Sequence, residues 1–297
     1  ILLTAAIGRR VSKNRWTPVV AAGIVALVPK FVFLSGVVNN DNLAITLAAA
    51  ATLLSVVMVT EVLTPRRELA AAIGLGSLGG LLAITKFTTL PLIAAWVLTL
   101  LLARLRSRLV CLAAFVGSFL LLSGWWFWMN IDRYGDPLAK RASEEHIRGK
   151  FFIELVGDFS MHRMVVEVPR AIWWQFFYTS GWNGFRWSDR WYVPFWGLLL
   201  VGLVGLAVKL PSTGRRVLLV LAAVGVCSLA SVWMVAISNT SVQARYALTG
   251  LPAVATLAAL GYERLRIPVM LRFALPLIGV IGILVALHND VFDAFRT

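Results

Sequence analysis

Apolar runs of membrane-spanning length follow one another along most of this chain, separated by short polar breaks. Hydropathy marks about nine complete spans, at approximately 17–35, 42–60, 69–85, 88–103, 109–128, 191–208, 217–237, 247–263 and 268–287. Several are short for a hydrocarbon core of about 30 Å, which tilt or an interior position would accommodate. Lys86, then Thr88, Thr89 and Pro91, divide the 69–103 stretch into two helices joined by a turn. Residues 1–8 read as the tail of a further helix, so the chain reads as a fragment lacking its true N-terminus. Between the first two complete spans stand Asn39, Asn40, Asp41 and Asn42, the only break in roughly 45 mostly apolar residues.

The pattern predicts an all-α integral membrane protein in three parts. Residues 1–128 carry transmembrane helices and the Asn-Asp loop, 129–190 form one long extracytoplasmic loop, and 191–297 hold the C-terminal transmembrane helices. The long loop is dense in aromatics, among them Trp173, Trp174, Phe176, Phe177, Tyr178, Trp182, Phe185, Trp187, Trp191 and Tyr192. Within it, Val165 to Phe177 has the pattern of an amphipathic helix lying on the bilayer surface, aromatics at headgroup depth. Such a loop would form a lid over an outer cavity.

Composition agrees with the pattern. The chain is 59% hydrophobic and 14% charged, with a mean hydropathy of +0.82, which excludes an ordinary soluble domain. A net charge of +14 and a pI near 10.8 would suggest nucleic acid in a soluble protein. Here the basic residues sit in short clusters between apolar runs: Arg9, Arg10, Lys13 and Arg15; Arg66 and Arg67; Arg104, Arg106 and Arg108; Lys209, Arg215 and Arg216; Arg264 and Arg266. They alternate with loops that hold almost none. That is the orientation signal of a multi-pass protein of the cytoplasmic membrane, with these loops inside. Asn39 to Asn42, Lys86, the 129–190 loop, Ser238 to Tyr246 and His288 to Thr297 then fall outside. Cys111 and Cys227 lie within apolar runs and read as small apolar side chains.

Candidate chemistry gathers on that outer face. Asp41 is costly near lipid and reads as a ligand, a base or a partner for a cation; alternatively, Asp41 or Asn40 simply caps the following helix. Lys86 reads as a cation for a phosphate, or as a lysine snorkelling to the headgroups. Gln243, Arg245 and Tyr246 open the span that ends near Gly261. Arg245 suits bidentate phosphate recognition, and the bland reading is a belt anchor. Trp125, Trp126 and Trp128 read as an interfacial belt, while Tyr134 to Pro137 read as a turn from which Asp136 reaches substrate. His146 and His162, with Glu144, Glu145, Asp158 and Glu167, match no compact metal motif. No metal ligand is assigned, although a divalent metal stays open as a cofactor. The sequence has neither a Gly-rich phosphate loop nor a Ser-His-Asp arrangement, which disfavours an ATP-driven pump and a serine hydrolase.

In this order the pieces resemble the GT-C superfamily of polytopic glycosyltransferases, closest to protein mannosyltransferases and lipid A aminoarabinose transferases. The resembling residues are Pro29 with Asn40 and Asp41; Gly80 with Thr85 and Lys86; Gly124, Trp125 and Trp126 with Tyr134, Gly135, Asp136 and Pro137; Trp182, Trp191 and Trp196; and Gln243, Arg245 and Tyr246 with Leu251 and Pro252. The resemblance implies a sugar donor on a polyprenyl phosphate, a glycan, lipid or protein acceptor, and transfer at the outer face of the membrane. It implies substrate-binding roles for Asn40, Asp41, Lys86, Tyr134, Asp136, Gln243, Arg245 and Tyr246. In that superfamily the catalytic carboxylate lies just after the first transmembrane helix. The resemblance therefore places the principal carboxylate upstream of Ile1, leaves Asp41 the weaker candidate, and implies that the fragment alone is inactive. Two other classes compete: a transporter or flippase for a polyprenyl-linked glycan, and a membrane scaffold whose aromatic loop binds a partner.

Overall fold

Proline and asparagine cut the apolar runs into helices at defined points. The computed structural model describes residues 1–139, 161–177, 179, 189, 192–208, 214–238 and 242–294, and these are helical with no strand among them. In chain order the helices are α1 (Leu2–Val11), α2 (Trp16–Leu27), α3 (Pro29–Ser35), α4 (Asn40–Thr60), α5 (Pro65–Thr85), α6 (Leu92–Leu102) and α7 (Arg108–Tyr134). There follow α8 (Val168–Gln175), α9 (Tyr192–Val208), α10 (Arg215–Ser238), α11 (Leu251–Arg264), α12 (Val269–Arg272) and α13 (Ala274–Ala294). Four of them, α4, α5, α7 and α10, are long and apolar enough to cross a membrane, and α2 with α3 makes a fifth if the bent pair is one span.

The remaining stretches read as spans from hydropathy are helical but shorter or interrupted. The 88–103 stretch opens with a 3₁₀ turn at Phe87–Thr89 and continues as α6, eleven residues long. At 1.5 Å per residue that is about 16 Å, well under the thickness of a bilayer core. The expected turn after Lys86 is present. The 17–35 stretch is bent by 67° between α2 and α3. Pro29 supplies no N–H and pushes Val28 into an extended conformation, so the helix cannot run through. Lys30 N–H, left without an intrahelical acceptor, donates to Phe177 O at 2.9 Å. The 247–263 stretch begins with a 3₁₀ segment, Ala244–Gly250, before α11. The last stretch breaks at Phe273 and then runs helical to Ala294, so His288 lies in a helix and not in an outer turn.

Helix α5 meets α7 through small residues. A Cβ on Gly76 would lie 2.2 Å from Phe115 O, and one on Gly80 2.8 Å from Phe119 O, so only glycine lets these backbones approach. The opposite side of α7 is apolar and open, with Leu109 81%, Leu121 79% and Trp128 73% exposed, as a lipid-facing helix requires.

Two cores form. One joins α2, α3, α8, α9, α10, α11 and α13 around Ile24, Val168, Phe177, Tyr192, Phe195 and Leu248. The other joins α1, α4, α5, α6, α7, α10 and α11 around Ile7, Ala48, Leu75, Trp96, Phe115 and Leu257. Helix α8, preceded by a π-helical turn at Arg163–Glu167, is amphipathic as expected. Val168, Ile172, Phe176 and Phe177 enter the first core, while Val165 and Val166 of the preceding turn stay exposed. Of the 129–190 loop, the described part is limited to 129–139, 161–177, 179 and 189, and Tyr178, Trp182, Phe185, Trp187, Trp191, His146, Glu144, Glu145 and Asp158 lie outside the described residues.

The basic clusters among the described residues collect at one end of the bundle. Arg10 pairs with Glu61, joining the ends of α1 and α4. The Arg106 N–H donates to Glu68 Oε2 at 3.0 Å, and Ser12 Oγ to Glu263 Oε2 at 2.6 Å. The start of α4, the end of α5 and the 3₁₀ segment before α11 occupy the opposite end.

Candidate functional site

At that opposite end the first turn of α4 is capped by its own sequence. Asn39 is the N-cap: its Oδ1 accepts from Asp41 N at 2.7 Å and Asn42 N at 3.3 Å. The cap is therefore not Asp41 or Asn40, as the bland reading of that motif held. Asn39 has the extended backbone a cap needs, and this leaves Asp41 inside the first turn with its carboxylate unspent. A negative side chain there is also favoured by the positive end of the helix. Asn40 Nδ2 donates to Thr85 O at 3.0 Å, tying the start of α4 to the last carbonyl of α5. That bond brings Lys86, the residue after α5, to Asp41.

Lys86 and Asp41 form an ion pair in which both side chains are buried. Lys86 Nζ donates to Asp41 Oδ1. The other oxygen, Oδ2, is buried and makes no hydrogen bond among the described residues. It faces Arg245 Nη1 at 3.6 Å, an ion pair without a hydrogen bond. The ring of Tyr246 completes the wall: Lys86 Nζ lies 4.4 Å from its centroid and Arg245 Cζ 5.6 Å. Cations on an aromatic face gain most where water is scarce. The 3₁₀ geometry of Ala244–Gly250 presents both Arg245 and Tyr246 to this spot. The segment is anchored by Ala244 N–H, which donates to Gln175 Oε1 of α8 at 2.8 Å. Gln243 precedes it as the N-cap residue.

Asn40, Asp41, Lys86, Arg245 and Tyr246, separated by up to two hundred residues in sequence, thus meet at one place. Tyr134 and Asp136 occupy a different level. Helix α7 packs at Gly80 through Leu122 and then runs on for twelve residues to Tyr134, about 18 Å, whereas α5 ends five residues past Gly80, about 8 Å. Beyond it, Gly135 turns the chain in the left-handed conformation, φ 64°, and Asp136 Oδ1 accepts from Leu138 N at 3.0 Å. Both residues belong to this turn. Trp125 and Trp128 are exposed on α7, as a belt would be. His162 pairs with Glu167 at 3.6 Å on the exposed side of the π-helical turn.

One cation at this end carries no expectation from its sequence position. Lys30, on α3 just after the break, is buried. Its Nζ donates to Thr179 O at 3.0 Å and Thr179 Oγ1 at 3.2 Å, and it sits 5.4 Å from the Phe33 ring. Arg245 lies within electrostatic range of both Lys30 and Lys86. The signal that singles out Lys86, a lone cation inside an apolar run away from the basic loops, applies equally to Lys30. Thr88, two residues beyond Lys86, is also buried, its hydroxyl without a hydrogen bond among the described residues.

The charge balance decides what this cluster can hold. Lys86 and the half-buried Arg245 pair with the Asp41 carboxylate, and the buried Lys30 stands within electrostatic range of Arg245, leaving two positive charges in excess among these groups. Buried charge of one sign is expensive unless an opposite charge joins it. The surplus suits an anion with several acceptor oxygens. It does not suit a divalent cation, and no three His, Cys, Asp or Glu side chains converge elsewhere among the described residues.

Fold and site together define a helical protein with helices long and apolar enough to span a membrane and a buried, cation-rich cluster at one end of its bundle. No family model, no curated protein and no solved structure matches the chain.

Proposed function

We propose that the protein is a membrane glycosyltransferase that moves a sugar from a polyprenyl-phosphate donor to an acceptor hydroxyl, working at the outer face of the cytoplasmic membrane. The observation that carries this reading is the surplus of positive charge in the cluster of Asp41, Lys86, Arg245 and Lys30 at the end of the bundle away from the basic loops. In such a transfer the acceptor oxygen forms a bond to the anomeric carbon, and the bond from that carbon to the phosphate oxygen breaks. The acceptor proton passes to a base, and the lipid phosphate departs with the electron pair. Lys86 and Arg245 would meet the charge that develops on the departing oxygen, the kind of fixed electrostatic stabilisation whose single removal costs about a hundred- to a thousand-fold in rate. Asp41 has its oxygens committed to two cations, so its role is to hold them in place and not to take the proton. Positive charge concentrated on the opposite loops supports the assignment of faces.

A second reading, a transporter or flippase for a polyprenyl-linked glycan, is favoured by one feature. The 67° break between α2 and α3 sets Lys30 at an interrupted helix, as many transporters do around their substrates. One pair of assays separates the two. Membranes holding the intact protein are tested for sugar transfer from a radiolabelled polyprenyl-phosphate sugar, and proteoliposomes for movement of the same lipid between leaflets. Transfer that falls at least a hundredfold in both Lys86→Met and Arg245→Gln supports the enzyme. Translocation without transfer replaces it with the flippase.

A further inference from the structure

A second candidate site lies at the other end of the molecule, between α1 and α2. There a cavity of about 660 Å³ is lined by Ile1, Leu2, Ala5, Ala6 and Arg9 on one side. Arg15, Pro18, Val19, Ala22, Gly23 and Ala26 form the other. The α1 positions recur at one helical face, and so do those on α2, so the cavity is a groove running along both helices. All its lining is apolar except at one end, where Arg9 closes α1 and Arg15 precedes α2. From Arg15 to Ala26 is eleven residues of helix, about 16 Å, which is half of a bilayer core of about 30 Å. The groove therefore has the depth of one leaflet, with its two guanidinium groups at headgroup height and at the end where the other basic clusters collect.

We propose that this groove holds one acyl chain of a glycerophospholipid with a negatively charged headgroup, its phosphate between Arg9 and Arg15. Small side chains at positions 5, 6, 22, 23 and 26 make room for the chain, and the arginines reach the phosphate oxygens with paired donors. Basic pockets between helices select anionic headgroups in this way. Arg10, next to Arg9, is already paired with Glu61, so the groove's own charges are Arg9 and Arg15. The site is separate from the Asp41 cluster and does not depend on the transferase reading.

Native mass spectrometry of the intact purified protein, supplied with palmitoyl-oleoyl phosphatidylglycerol or with palmitoyl-oleoyl phosphatidylcholine, tests it. The expected result is one phosphatidylglycerol retained per chain, in preference to phosphatidylcholine. Arg9→Gln with Arg15→Gln lowers that retention roughly 30-fold, the loss expected for two charges near a headgroup. Ala22→Phe, which fills the groove, removes retention of either lipid. Two controls hold the surroundings constant: Arg66→Gln with Arg67→Gln removes the same charge elsewhere at the basic end, and Ala70→Phe adds the same bulk on an exposed face of α5. Thermal unfolding confirms that each variant folds, with Ala5→Phe as the alternative filler. Equal retention of both lipids, equal loss in the Arg66/Arg67 control, or retention that survives both fillers overturns the proposal, as does a second copy of the chain in the groove.

Discussion

Buried or half-buried carboxylates stand at both ends of this molecule, and they are treated in opposite ways. At the basic end, Glu263 Oε2 accepts from Ser12 Oγ and Thr17 Oγ1, both at 2.6 Å, and Glu68 Oε2 accepts from Arg106 N–H at 3.0 Å. Their donors are hydroxyls and a backbone amide, which stitch α11 to the α1–α2 hairpin and α5 to the loop before α7. At the far end, Asp41 is met by Lys86 and Arg245, and one of its oxygens has no hydrogen bond among the described residues. Neutral donors satisfy a carboxylate's lone pairs and bring no positive charge with them. Two full cations around one carboxylate leave charge over, and Lys30 adds to it. The difference separates a structural latch from a place prepared for an anion.

The comparison breaks most sharply at Asp41. Asp41→Ala leaves the buried Lys86 and the half-buried Arg245 without their counter-charge, and removing one partner of a buried pair costs about 3–5 kcal/mol. Unfolding in detergent should show that loss. Added inorganic pyrophosphate should restore part of it, since an anion that binds the folded state at a hundred times its Kd stabilises by about 2.7 kcal/mol. No such rescue is expected for any substitution at Glu263. A failure of pyrophosphate to separate the two ends would mean that the Asp41 cluster is also only a latch.

Coupling between Asp41 and Lys86 gives the next largest effect. Asp41→Asn with Lys86→Met removes both charges together, so the double variant should be more stable than the sum of the single losses by about 1–3 kcal/mol, measured by a double-mutant cycle. Sugar transfer is expected to stay lost in the double variant even where stability returns. Glu68→Gln keeps an oxygen for Arg106 N–H and exchanges a charge-assisted bond for a neutral one, costing about 1 kcal/mol. Glu263→Gln is the smallest change. Its amide oxygen still accepts from Ser12 and Thr17, so a loss of about 1 kcal/mol or less in chemical denaturation and transfer within twofold of the parent are expected.

Much of the architecture is legible in the sequence, because lipid allows little choice. A backbone inside a bilayer must satisfy its own hydrogen bonds, so long apolar runs become helices. The turn after Lys86, the glycine contacts of α5 and the alternation of basic loops all follow from local residue chemistry. Other features were less visible. Hydropathy cannot distinguish a full span from the eleven residues of α6, since both are apolar throughout. The break at Val28–Pro29 lies inside a long apolar run, and only Pro29 and the cation that follows it hint at it. Helix α8 has an amphipathic pattern that does not say which elements its apolar face packs on, and the structure sets Val168, Ile172, Phe176 and Phe177 in the first core.

The sequence by itself determined that this chain is helical, that it is built of apolar helices, and which polar residues are too costly to be idle. These are consequences of solvation, which each residue carries with it. Tertiary structure alone decided that Asp41 meets Lys86 and Arg245, that Lys86 lies on the Tyr246 ring, and that Lys30 comes within electrostatic range of Arg245. Those outcomes depend on which helix ends are neighbours. Proximity across forty-five or two hundred residues is set by packing, to which no local pattern gives access.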